Sequence, residues 1–82
     1  MQNPIGQLVA AKDGGRWVLG MVIKPVDYAD NQYQIEWYYG DNAAFLNVYR
    51  RSMHIDTLQE HMRAYQNKVR LKVYKGIFRQ EN

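Results

Sequence analysis

The stretch Gln32-Tyr33-Gln34-Ile35-Glu36-Trp37-Tyr38-Tyr39 alternates residue by residue. Tyr33, Ile35 and Trp37 fall on one side, and Gln32, Gln34, Glu36 and Tyr38 on the other. Successive side chains of a strand point to opposite faces of its sheet, so residues 32–39 are predicted as a half-buried strand with one solvated face. Tyr38 and Tyr39 are consecutive and cannot both face the core. Gly40-Asp41-Asn42 supplies the turn that follows.

Working outward, residues 17–24 read as a strand rich in β-formers, ended by Pro25, which offers no N–H to a ladder. Gly20 inside it points to a bulge or a close backbone approach. Asp13-Gly14-Gly15 is a turn, since glycine supplies positive φ, and residues 6–12 form the strand before it. Toward the C-terminus, residues 43–49 are expected as a fourth strand and residues 68–75 as a fifth. In the fifth, Val69, Leu71 and Val73 point in, and Lys68, Arg70, Lys72 and Tyr74 point out. Between these two strands the period changes. Ile55, Leu58, Met62 and Tyr65 recur at spacings of three and four, which predicts a helix over about 56–66. Thr57 with Glu60, or Asp56 with Gln59, would cap its start, and Asn67 would stop it. Its apolar stripe has the open end of the sheet to cover.

The whole is expected to be a single domain, mainly β: a five-stranded SH3-like barrel with one helix before the last strand. The 82 residues permit one domain and a small core. Without cysteine, disulfides, Cys-based zinc sites and thiol chemistry are excluded. The apolar runs are only a few residues long, and Met1-Gln2-Asn3-Pro4 lacks a basic-then-apolar leader, so no membrane partner and a cytoplasmic location are expected. The net charge of +3 is unevenly spread. Residues 1–49 carry three basic and five acidic side chains; residues 50–82 carry eight and three. A basic second half suits phosphates or an acidic surface, and equally a plainly solvated face.

Three segments together resemble an SH3-like small barrel of the Tudor/KOW type. Gly6-Gln7-Leu8-Val9 is similar to the opening G-D-x-V strand of that family. Trp17 to Ile23 looks like its second strand, and Tyr33 to Asp41 like its Y-x-V-x-W/Y-x-x-G hairpin. Size and composition also resemble small phage-encoded barrel proteins. The segment from Ser52 to Asn67 departs from the pattern, because such barrels usually carry only a single 3₁₀ turn there. In Tudor domains a cage of aromatic rings binds a methylated lysine or arginine. Matched by position, the resemblance assigns cage roles to Trp17, Tyr39 and Asp41 or Asn42; Tyr38, as an aromatic beside Tyr39, joins Trp17, Tyr39 and Asp41 as a candidate contact residue for a partner. The chemistry would be a weakly hydrated cation held over negative ring faces.

A binding module that recognises a protein partner, or a second copy of itself, is the leading expectation. The alternative is a nucleic-acid-binding barrel (RNA or DNA). There Lys68, Arg70, Lys72 and Lys75, with Arg50 and Arg51, would follow a phosphate track, and Tyr74 would stack a base. Lysines on an edge strand also serve to block edge-to-edge pairing, the bland reading of the same row. No catalysis and no cofactor are expected. Ser52 lies near His54 without an ordered base–carboxylate arrangement, and Gly14-Gly15 is a turn rather than a phosphate loop. His54 and His61 stand seven apart, too far for their rings to share one ion, so both are expected at the surface with no metal.

Overall fold

Two glycines with left-handed backbones start the sheet. Gly14 (φ +60°) and Gly15 (φ +81°) connect strand β1 (Leu8–Asp13) to strand β2 (Arg16–Pro25). A two-residue turn with positive φ at both positions matches the twist of antiparallel strands, and glycine enters it without steric penalty. The computed structural model describes residues 3–40 and 46–69, the last by its backbone. Strand β3 (Gln32–Tyr39) pairs antiparallel with β2, and β4 (Asn47–His54) pairs antiparallel with β3. Strand order therefore follows the chain, β1-β2-β3-β4.

The pairing of β2 with β3 slips between Val22 and Lys24, leaving Ile23 as an extra residue. A bulge of this kind bends the strand and increases its twist. Gly20 serves the other purpose foreseen for it. A Cβ there would lie 2.8 Å from the Glu36 carbonyl oxygen and 2.8 Å from Trp37 Cε3. The bend and the close approach thus sit three residues apart.

Helix α1 (Ile55–Ala64) follows β4 directly. His54, in extended conformation, caps it, its Nδ1 accepting the Asp56 N–H at 3.2 Å. The expected caps Thr57 and Asp56 lie inside the helix instead. The Ile55 N–H donates to the Asn31 carbonyl at 2.8 Å, and Asn31 reaches that position at φ +59°. This bond ties the loop after β2 to the start of the helix. Leu58 is fully buried with Val9, Val18, Val22, Ile35 and Trp37, and Ile55 and Met62 pack against the same cluster. Tyr65 takes the fourth stripe position but packs elsewhere, on buried Ala10 beside Trp17 and Leu19. The helix stripe read from the sequence is therefore seated at all four positions.

The fold class holds at its coarser level: mainly β, antiparallel, with one helix. Three finer expectations are corrected. First, the described sheet has four strands and is open, with no ladder joining β1 to β4. Second, the fourth strand covers residues 47–54 rather than 43–49. Its side chains are nearly all exposed, so no alternation marks it, and residues 50–54 fall outside the strand expected from the sequence. Third, Lys68 and Val69 do not begin a strand. They close a widened π-helical turn, Tyr65–Val69, that carries the chain past Asn67. The rest of the expected fifth strand, residues 70–75, lies outside the described residues.

Candidate functional site: an aromatic cleft beside an arginine

Strand register builds the site. Trp37 stands opposite Tyr49, Ile35 opposite Arg51, and Tyr39 opposite Asn47. Paired residues share a face, so Tyr49 and Arg51 stand on the helix side of the sheet with Trp37 and Tyr39. Helix α1 reaches this face at His61, whose ring meets Trp37 edge-on at 5.6 Å and 89°. Beside that contact Trp37, Tyr39, Tyr49 and Arg51 line an open cleft of about 340 Å³. Trp37 is buried and half-buried Tyr39 packs on the core, whereas Tyr49 and Arg51 are exposed.

The cleft walls are fixed by contacts of their own. Tyr39 and Tyr49 meet edge-to-face at 5.3 Å and 84°, the arrangement that sets the positive edge of one ring on the negative face of the other. The Tyr39 hydroxyl donates to Asp13 Oδ2 at 2.7 Å, joining β3 to the end of β1. That hydrogen bond, followed by burial and the Asp13 charge, raises the Tyr39 phenol above its ordinary value of 10.0, and Arg51 opposes the rise. The fold thus favours the neutral phenol. This contribution to stability is complete below the unfolded-state value near 10.0 and is lost as pH rises through the higher folded-state value. Asp13→Asn is expected to move the Tyr39 titration to lower pH and Arg51→Gln to move it higher. Absorbance titration of tyrosinate, with Tyr39→Phe identifying the group, reads both shifts. An Asp13→Asn protein with an unmoved curve would show that the bond does not hold the phenol.

The other face of the sheet holds a separate arrangement. The Tyr38 hydroxyl donates to Glu36 Oε1 at 3.3 Å, and Glu36 Oε2 accepts from Arg50 Nε and Nη2, both at 3.0 Å. Burial first, then the Glu36 charge and hydrogen bond, raise the Tyr38 phenol. The Arg50 side chain is 63% exposed, so its ion pair contributes at most about 1 kcal/mol. Trp17 packs on Ala10, and Lys12 Nζ lies 5.5 Å from its ring centroid. The ring therefore already has a cation of the chain's own beside it.

The structure divides the residues that the sequence grouped. Trp17 and Tyr38 share one face, Tyr39 lies on the opposite one, and Asp41 is outside the described residues. Trp17 and Tyr38 therefore cannot share one cage with Tyr39. Arg50 and Arg51 also face opposite ways, Arg50 into an ion pair and Arg51 onto the cleft. Lys68 is exposed on the π-helical turn; Arg70, Lys72, Tyr74 and Lys75 lie outside the described residues. His61, expected at the surface, is half-buried against Trp37. Trp37, read as an inward core residue, and Tyr49 are the members of the cleft that the sequence reading did not select as contact residues. The sequence carried no alternation to mark the strand of Tyr49, because Asn47 to Ser52 are all exposed and only Met53 is half-buried.

Comparison with known proteins finds no matching family model, no matching curated relative and no matching solved structure. Among the described residues no group of three His, Asp or Glu side chains is placed to hold a metal ion. No helix there is long and apolar enough to cross a membrane.

Proposed function

We propose that this chain is a small non-catalytic protein-interaction module whose contact surface is the cleft of Trp37, Tyr39, Tyr49 and Arg51. The observation that carries this reading is the exposure of Tyr49. The residue is 54% exposed although it sits on the face the helix packs against. Val48, 46% exposed, pairs with Tyr38 and faces the other side of the sheet, so Tyr49 is the exposed aromatic on the cleft side of β4. Tyrosine and arginine are the residue types enriched where partners dock, because each offers a large contact area and a polar tip. The proposal keeps the SH3-like kinship suggested by the sequence but moves the surface from Trp17 and Tyr38 to β4.

A nucleic-acid reading draws on one feature, the adjacency of Tyr49 and Arg51, which suits a stacked base with its phosphate. It is the weaker reading. Glu36 neutralises Arg50, and the Asp13 carboxylate stands at the Tyr39 end of the cleft.

The test is affinity capture from the source cells' lysate after nuclease treatment, wild type against Tyr49→Ala. A protein retained by the wild type and lost with Tyr49→Ala, at an unchanged melting temperature, is the expected result. Equal retention by both proteins would remove the cleft from the interaction. Loss of all retention on nuclease treatment would favour the nucleic-acid reading.

A further inference from the structure

We propose that the cleft takes an acidic peptide segment, with one large apolar side chain resting against the aromatic wall and a neighbouring carboxylate on the Arg51 guanidinium. The inference rests on the module reading above and specifies its ligand. Its first support is the difference between two adjacent arginines. Arg50 spends its guanidinium on Glu36, but no carboxylate among the described residues pairs with Arg51, which lines the cleft in the open. A guanidinium beside aromatic rings presents a planar fork of donors that matches a carboxylate with two parallel hydrogen bonds.

Second, the same charge decides against the ligand implied by the family resemblance. A methylated lysine placed among Trp37, Tyr39 and Tyr49 would bring a second cation next to Arg51. Like charges at that range disfavour each other, and the ring attraction of about 0.5–2 kcal/mol is too small to offset the conflict comfortably. An aromatic cleft with an arginine in its wall therefore selects against cations. Third, a nucleic-acid strand needs a row of cations, whereas β4 offers Arg51 alone once Arg50 is paired. Fourth, the volume of about 340 Å³ lies at the lower end of the range for ligand pockets, room for one bulky side chain rather than an extended chain.

The probe is a short Gly/Ser peptide carrying a central Leu-Glu pair. Its comparison peptides replace Glu by Gln, or the pair by trimethyl-lysine, and a thymidine oligomer stands for nucleic acid. Titration followed by indole fluorescence is expected to show the Leu-Glu peptide binding best. The Glu-to-Gln change in the peptide and Arg51→Gln in the protein should each weaken binding about tenfold, and together no further. Arg51→Glu should reverse the preference toward a Leu-Lys peptide. Arg51 is exposed, so these variants keep the fold, and unchanged melting curves check this. Tighter binding of the trimethyl-lysine peptide or the oligomer would overturn the inference, as would indifference to Arg51→Gln. If Tyr49-dependent capture from lysate persists while the Leu-Glu peptide fails to bind, the module reading stands and this inference alone falls. If capture is also independent of Tyr49, both fall.

Discussion

Leu58→Ala is expected to lower the melting temperature by about 10 °C or more and leave a measurable unfolded population at 37 °C. Leu58 is the one fully buried side chain of α1, and it closes on Val9, Val22 and Ile35, themselves at most 1% exposed. Truncating a leucine so enclosed costs about 2–5 kcal/mol, since the surrounding strands cannot collapse into the space. A domain of this length has only about 4–12 kcal/mol in total at ordinary per-residue stability. No disulfide is present to offset the loss. Leu58→Met serves as control, because a swap of similar volume should cost less than about 1.5 kcal/mol. Far-ultraviolet circular dichroism against temperature, for both variants, makes the measurement. An unaltered midpoint for Leu58→Ala would mean that the helix does not rest on the sheet. The loss also reaches the cleft, because docking of α1 holds His61 against Trp37.

The parts of this fold that burial dictates were legible from the sequence. Residues 32–39 alternate because one face is covered, and the strand lies at those residues. Ile55, Leu58, Met62 and Tyr65 repeat at helical spacing because each meets the sheet, and all four do. Gly14 and Gly15 announce a turn since only glycine enters it freely. Legibility failed where solvent removes the constraint. An edge strand with exposed side chains has no alternating pattern to keep, so β4 was placed several residues too early. That shift alone hid the cleft, because Arg51 then fell outside the expected strand and lost its alignment with Tyr49. The helix cap failed for another reason. Histidine is not among the preferred capping residues, and His54 takes that role because β4 delivers it already extended. Register also lay beyond the sequence. Alternation showed that Tyr38 and Tyr39 diverge, but only the pairing with β2 and β4 shows which partners each meets.

Gly20→Ala is expected to destabilise the fold and disturb the cleft at once, a combination that separates it from an ordinary strand substitution. Alanine normally improves on glycine inside a strand by about 0.5–1 kcal/mol, because glycine loses more conformational freedom on folding. Here space reverses the sign. The new Cβ would sit 2.8 Å from the Glu36 carbonyl oxygen and 2.8 Å from Trp37 Cε3. Neither neighbour yields easily. The carbonyl belongs to the adjacent strand, and the indole is 6% exposed within the core. Overpacking of this kind costs about 1–3 kcal/mol, enough to outweigh the entropic gain at its upper range. The relief available is a displacement of Trp37, which is a wall of the cleft. Gly20→Ala should therefore lower the melting temperature by several degrees and shift the Trp37 emission, read in a Trp17→Phe background. The Leu-Glu peptide should bind it more weakly than the wild type, although position 20 does not line the cleft. A raised midpoint with unchanged emission would show that the strand relaxes around the methyl group and that Gly20 does not set the position of the indole.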